Sequence, residues 1–566
     1  MKNLGSVTAI LVLAVCLAPA FLVAQLVDTV WVNRWTSPGA ESDWAYALTV
    51  DNEGRVYVTG KTNNAGTEDD WTTIKYKANG DTAWVRNFAN PGSYNERANS
   101  IVIGPSGRLY LTGYTMSSGS GDYFTIKYKP DGDTAWTRRY NGIGGGYDFA
   151  NWVTVDSEEN VYITGYSRAL SYQNDIATVK YDSSGTQLWV ALFNGPGNYS
   201  DEGYKVIADN NGHIYVVGHV NPYGTGTRWD YITIKYDTET GDTVWARTYN
   251  GTADSTDMAR DIAVDAVGNV YVTGSSRSTG TLGDIITIKY DSLGTEKWTA
   301  RYNNPDTSLS DGGYGIAADA EGNVFVVGQS QGLGTGSDIV TIKYDSLGNQ
   351  QWVTRYNGPA NDYDTPSTED GGKCMAVDQL GNIYVTGISR GVTSVNDYVT
   401  IMYDPDGVEQ WVAGYNCCDS VDTALDIDVD TLGGIYVCGR SIGVGTYYDM
   451  ATAKYQTVVG IGENDAVIAN RIQLHIYPNP FNHSTDIQYQ ITDNRIANNE
   501  TGVSFRIYDA SGRLVRDFGQ ISVPGYQSSV MWDGTDDNHS VVSNGVYFCV
   551  MEFDGQRIQE KIVMVK

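Results

Sequence analysis

The stretch "DIITIKYDSLGTEKWTARYN" beginning at Asp284 returns along the chain with few changes, as "DYFTIKYKPDGDTAWTRRYN" from Asp122 and "DIVTIKYDSLGNQQWVTRYN" from Asp338. Repetition at a fixed period constrains the fold strongly, because each unit must bury its apolar face against copies of itself. A short apolar run ending near Gly marks the period. It reads "VYVTG" at Val56, "LYLTG" at Leu109, "VYITG" at Val161, "IYVVG" at Ile214, "VYVTG" at Val270, "VFVVG" at Val324, "IYVTG" at Ile383 and "IYVCG" at Ile435. These eight copies lie 52 to 59 residues apart.

Each run is preceded by an alternating apolar stretch and followed by a strand ending in Tyr, from Tyr76 to Tyr455. A Trp-centred strand completes the unit, from Trp31 to Trp411. The first and third turns read D-x-x-G, where Asp bonds the backbone ahead of it and Gly accepts positive φ. A chain with 64 Gly and 41 Tyr, only 19% charged, suits such strands and tight turns. Four short strands per unit predict propeller blades. The chain opens on a Trp strand that has no partners before it, and the repeats end at Tyr455 with no Trp strand after it. The amino-terminal strand therefore supplies the missing fourth strand of the last blade. The expected fold is all-β: an eight-bladed propeller over residues 26–455, closed by that strand, which hides the sheet edges.

The repeated units resemble the bacterial β-propeller repeats called SBBP. The resemblance implies a secreted propeller and assigns no chemistry. Eight units here depart from the seven blades of the family's name.

Two acidic positions recur. Asp precedes the third strand throughout (Asp70, Asp122, Asp175, Asp230, Asp284, Asp338, Asp397, Asp449), and Lys stands before the strand's final Tyr everywhere except at Met402. A second acid opens the first strand, read as Asp43, Glu96, Asp148, Asp201, Asp257, Asp311, Asp370 and Asp422. A ring of carboxylates could hold calcium. A feature present in every unit is more simply what makes the unit, with Asp bracing a loop-to-strand junction and Lys as its partner. The repeats are accordingly read as scaffold, and function is sought where they differ. Two loops on the variable face stand out. Residues 219–229, "HVNPYGTGTRW", are longer than their counterparts, and residues 358–369, "GPANDYDTPSTE", carry about six extra residues. Their candidate binding residues are Tyr223, Arg228, Trp229, Asp362, Tyr363 and Asp364, suited to a glycan or a surface protein.

With 67 acids against 38 bases, the net charge is −29, which repels nucleic acid and anionic membrane. Five His show no zinc or Ser-His-Asp spacing, and no Gly-rich phosphate loop precedes a helix. "DIDVD" from Asp426 lacks the Gly and distal Glu of a calcium loop. No catalytic residue and no cofactor are predicted. "DTETGDTVW" from Asp237 is similar to the tryptophan-docking motif of quinoprotein dehydrogenases, which can carry a vicinal pair like Cys417–Cys418. That motif fits once only. The preferred reading is a non-catalytic binding or scaffold module. The alternative is a propeller enzyme, polysaccharide-acting or quinoprotein-like.

The first 24 residues read as a secretory signal peptide: Lys2, then an apolar run, then small residues at Ala18, Ala20 and Ala24. No later stretch is long and apolar enough to span a bilayer. Residues 456–473 read as a linker and 474–566 as a different all-β unit. Its blocks, "IYPNPFNHSTDIQYQI", "FRIYDASGRLVRDF", "WDGTDDN" and "NGVYFCVMEFDG", look like the C-terminal sorting domain of the type IX secretion system. Tyr477, Pro478, Asn479, Pro480 and Phe481 are its most specific part. The resemblance implies a small immunoglobulin-like β-sandwich, engagement of the type IX machinery, and passage through the periplasm to the surface of a Gram-negative bacterium.

Overall fold

The computed structural model describes residues 26–458 apart from short loop stretches, among them 64–68, 90–94, 223–227 and 368–371. It also describes residues 472–564 apart from loops such as 478–480 and 492–502. The stretch read as an export signal and residues 459–471 of the linker lie outside the described residues. The chain forms two compact units, one within Gln25–Val458 and one within Val459–Lys566. Every regular element among the described residues is a strand.

In the larger unit, Trp44–Val50, Val56–Asn63, Asp69–Tyr76 and Thr82–Phe88 form one antiparallel sheet in chain order. Six further sheets repeat that order through Glu409–Tyr415. The last sheet holds Asp422–Val429, Gly434–Ile442 and Tyr448–Val458, and its fourth place is filled by Leu26–Trp35. Successive first strands pack on one another, and Asp422–Val429 packs on Trp44–Val50. This is the arrangement of a β-propeller.

Burial explains the unbroken apolar runs. The second and third strands are covered on both faces by neighbouring sheets, so Asp284–Tyr290 is buried throughout, whereas the outer strand Thr243–Tyr249 alternates with solvent. Core clusters straddle two sheets: Tyr231 and Trp245 share one with Ile262, Ile286 and Tyr290. A matching cluster joins Tyr436, Cys438 and Met450 to Ala45, Val58 and Ile74, last sheet to first.

The Gly that ends each second-strand run answers a β-bulge. The first strand slips register opposite it, as between Ala259 and Asp261. The first-strand carbonyl then presses on that Gly, so a Cβ on Gly274 would lie 2.0 Å from the Met258 oxygen. In the seventh sheet the first strand is instead two pieces, Asp364–Pro366 and Met375–Val377, either side of the place where the other sheets carry the bulge. The extra residues expected in the 358–369 loop therefore fall where the first strand is interrupted, between Pro366 and Met375. The described ends of this interruption turn to the neighbouring sheet: Ser367 Oγ donates to the Leu425 carbonyl (2.7 Å) and Lys373 N–H to Asp426 (2.9 Å).

Outer strands lock sheet to sheet. Trp245 Nε1 donates to the Ser292 carbonyl in the next sheet's turn (3.3 Å), and Gly294 (φ 76°) of that turn lies against the indole. Lys235 reaches the same carbonyl (3.2 Å) from above the Tyr215 ring. Lys therefore sits at the turn end of its strand and does not partner the Asp at the other end, correcting that expectation. Trp31 of the amino-terminal strand makes the same contact with Ala78 O in the first sheet (3.1 Å). The longer turn after Asp237 also serves this dock, with Trp189 donating to Thr238 O (2.9 Å).

In the smaller unit, Ile472–Tyr477, Thr485–Ile491 and Gln527–Trp532 form one sheet. Leu514–Ile521, Val503–Asp509, Gly545–Phe553 and Gln556–Met564 form another. One core cluster, including Ile487, Trp532, Phe505, Ile507, Tyr547 and Ile562, draws on both.

Candidate binding face

Loops between the second and third strands and loops between sheets share one end of the propeller, and the D-x-x-G turns share the other. The recurrent acids meet at the loop end, in the seams. First-strand acids receive a backbone N–H of the loop before them, as Asp43 does from Ser37 (2.6 Å) and Asp148 from Gly142 (2.8 Å). Asp201 accepts from Gly195 (2.5 Å) and Asn221 (2.9 Å), and Asp257 from Gly251 (2.7 Å) and Arg277 (3.1 Å). Their own N–H groups bond the preceding sheet, as Asp257 N does to Trp229 O (2.6 Å). In the seventh sheet this acid is Asp364, which accepts from Gly358 N (2.6 Å) and pairs in register with Ser389, correcting the assignment to Asp370, which lies outside the described residues. The interruption after Asp364 had displaced the spacing count.

The third-strand Asp lies across the same seam. Four of these residues are held by a fourth-strand Arg: Asp122 by Arg139 (3.1 Å), Asp284 by Arg301 (2.7 Å), Asp338 by Arg355 (2.6 Å) and Asp449 by Arg34 (2.5 Å). Burial pushes the carboxyls of Asp43, Asp201 and Asp422 up to about 6, against the pull of their backbone donors; the facing Asp449, Asp175 and Asp397 add to the rise. "DIDVD" is also seam material: Asp426 accepts Leu48 N–H of the first sheet (2.7 Å), and burial raises its carboxyl to about 7. Among the described residues, no three His, Cys, Asp or Glu side chains converge as metal ligands.

The 219–229 segment is less of a loop than expected. His219 and Val220 belong to the strand Ile214–Val220 and are buried. Trp229 stacks on His219 with centroids 4.5 Å apart, Tyr204 lies 5.2 Å from that imidazole, and the Arg260 guanidinium stands 5.3 Å from the Tyr204 ring. Burial, aided by the Arg260 charge, pushes the His219 imidazole down to about 3, so it is a neutral stacking surface. Arg228 is exposed and Trp229 half-buried, while Tyr223 and Cys418 lie outside the described residues.

In the other loop, Asp362 pairs with Arg390 (2.6 Å) and Tyr363 is 41% exposed. Asp364 is 1% exposed, and its carboxylate is committed to the seam, so it presents nothing to a ligand. The fifth and sixth sheets separate the two loops, but Arg260 and Tyr363 both act on the Tyr314 phenol, whose ionisation burial already opposes. Sequence reading did not single out Tyr204, Arg260 and Tyr314. All three occupy the bulge of their sheet, which aims one side chain per sheet off the ladder.

In the smaller unit, Phe481 is buried 5.3 Å from Trp532, and its N–H bonds Val563 O (2.9 Å). The motif's Phe thus anchors this unit's core. Tyr477 ends a strand, and Pro478, Asn479 and Pro480 lie outside the described residues.

The larger unit is a β-propeller of the repeat type: residues 37–66, 135–169 and 246–280 match the β-propeller repeat family SBBP. Residues 475–566 match the secretion system C-terminal sorting domain. The chain thus carries a type IX sorting address, which implies engagement of that machinery and a secreted or outer-surface destination. Among the described residues no helix is long and apolar enough to cross a membrane. An uncharacterized WD repeat-containing protein, L264, of Acanthamoeba polyphaga mimivirus is 28% identical over 152 residues, which is 24% of this chain and 11% of that protein. The chain thus matches about a tenth of that relative's length. PorZ, a surface component of the type IX secretion system of Porphyromonas gingivalis, is 14% identical, with a TM-score of 0.36 over 94% of this chain and 70% of its own. The polysaccharide lyase Uly1 is 11% identical, with a TM-score of 0.40 over 73% of this chain and 90% of its own.

Proposed function

We propose that this chain is a surface-displayed, non-catalytic propeller that binds a polymer or a protein on its loop face. In this reading a leader over residues 1–24 starts export. Residues 26–455 form one closed ring of eight blades, and residues 474–566, folded as an immunoglobulin-like sandwich, address the ring to the surface. The Trp31 contact with the first sheet supports closure, as does the Asp426 bond to Leu48. One observation carries the binding assignment. First-strand carboxylates accept seam N–H groups and four third-strand ones pair with Arg, whereas aromatic and basic side chains gather at the loop ends of the inner strands, as Trp229, Tyr204 and Arg260 do. Such groups bind by stacking and charge without transferring a proton.

The test is a screen of the full-length secreted protein against glycans and surface proteins, with and without calcium. Saturable binding that weakens in Trp229→Ala or Arg228→Ala is expected. Depolymerisation of a polysaccharide, or dye reduction after adding quinone cofactor and calcium, would replace this reading with an enzyme.

A further inference from the structure

The turn between the first and second strands departs from its pattern twice, in adjoining sheets. Elsewhere it opens on Asp and closes on Gly. In the second sheet Gly104 stands in place of the Asp ("GPSG", residues 104–107), and in the third Glu159 stands in place of the Gly ("DSEEN", residues 156–160).

The ordinary Asp serves its own sheet. One oxygen accepts the N–H two residues on, as Asp51 Oδ1 does from Glu53 (3.0 Å), and the other accepts the second-strand Tyr hydroxyl, as Asp51 Oδ2 does from Tyr57 (3.1 Å). The same two bonds recur at Asp156, Asp209, Asp265, Asp378 and Asp430. Gly104 has no carboxylate, yet the second sheet's turn is satisfied in the same way from across the seam. Glu159 Oε1 accepts the Ser106 N–H (3.0 Å), and Glu159 Oε2 accepts the buried Tyr110 hydroxyl (2.8 Å). Lys127 of the second sheet adds an ion pair (3.2 Å). Burial would raise the Glu159 carboxyl, but bonds led by those from Ser106 and Tyr110 hold it down to about 2, so it is ionised.

Each departure requires the other. Glu159 takes the left-handed backbone of the Gly it replaces (φ 63°), which a side chain adopts only under strain. Its side chain has room because residue 104 is Gly. At Gly54, where the preceding sheet keeps its Asp, a Cβ would lie 3.0 Å from the Tyr436 hydroxyl and 3.3 Å from the Asp430 carboxylate. Conversely, a Cβ on Gly104 would lie 2.9 Å from the Tyr110 ring and 3.4 Å from Glu159 Oε1. Sheets this alike can dock out of order or onto a second copy, a characteristic fault of repeat proteins. A sheet whose turn closes on Gly, placed after the second, would leave the buried Tyr110 hydroxyl without this acceptor. A sheet with its own Asp, placed before the third, would set a second carboxylate against Glu159. We propose that the exchange between residues 104 and 159 is a matching device that fixes the second sheet before the third as the larger unit assembles. The device is independent of what the loop face binds.

The test compares the full-length protein with Glu159→Gly, Gly104→Asp and the double variant, which restores the self-contained turn of the other sheets. Each single change should lower the melting temperature by a few degrees. Together they should bring it back close to the parent's, a non-additivity expected of residues in contact. With stability restored but the match erased, the monomer fraction of freshly expressed double variant should still fall about twofold by size-exclusion chromatography. Single variants that melt like the parent, or a double variant that melts no higher than the less stable single, overturn the proposal. Parent-like melting of the double variant together with a parent-like monomer fraction also overturns it, because the exchange would then carry no information about order. Should a single variant fail to fold, the double variant decides by folding or failing likewise.

Discussion

At the scale of single residues, the repeat is dictated by close backbone approach and by carboxylates turned inward. Gly274 stands where the first-strand carbonyl comes in, so Gly274→Ala must push Met258 O away from a 2.0 Å overlap. Overpacking of this kind costs about 1–3 kcal/mol; a lower melting temperature with the fold retained is expected, by circular dichroism. The seam acids predict a pH dependence. The folded pKa of Asp201 is raised above its unfolded value, so the native state holds more protons than the unfolded chain between about pH 4 and 6. Its contribution is fully present below the unfolded pKa and is lost as pH rises through about 6. The Asp209 carboxyl in a turn is held below its ordinary value by its bonds to His213 and Asn211, against burial, so its contribution is lost only as pH falls through its own folded value. The propeller should therefore melt higher at pH 5 than at pH 8. Relief of repulsion at net charge −29 acts in the same direction, so Asp201→Asn is the deciding comparison. That variant should lose about 1–3 kcal/mol of the pH-dependent difference, read from melts at the two pH values. An unchanged difference would remove Asp201 from the account.

The secondary-structure elements differ mainly at the two ends of the larger unit and in one first strand. Leu26–Trp35 covers the edge of Tyr448–Val458 and docks Trp31 on the first sheet. Deleting residues 26–36 exposes that edge and removes the dock. The expected result is a large loss of thermal stability with self-association, seen by melting and size-exclusion chromatography. A deletion variant that melts like the parent would show that the strand is dispensable. The seventh sheet keeps its pairing on both sides of the interruption because this falls at the bulge, where every other sheet already breaks the ladder. An insertion two residues later would have interrupted the hydrogen-bonded pairs themselves.

For the whole molecule, the propeller and the sorting unit have separate cores. Removing residues 474–566 should leave a folded propeller that accumulates in the periplasm. Cell fractionation and protease accessibility on intact cells report this; a truncated chain still exposed on the surface would refute the address. The same truncated chain, if released artificially, should retain the loop-face binding proposed above.

Sequence alone determined the strand content, the unit length and the sorting address. Each is a local pattern: alternation, turn residues at fixed offsets, or a contiguous motif such as Tyr477 to Phe481. It also distinguished scaffold from variation, since Asp201 and its counterparts recur in every unit. Tertiary structure alone decided what the varying positions do. Spacing in sequence selected Asp370 for the seventh seam and gave Asp364 to a binding loop; only pairing with Ser389 places Asp364 in the seam. Lys235 reads in sequence as a partner for Asp230, but the strand places them at opposite ends. Arg440 and Trp44 are almost four hundred residues apart and meet because the last sheet packs on the first. No local pattern records such contacts, because one side chain per repeat carries no signal until the sheets bring those side chains side by side.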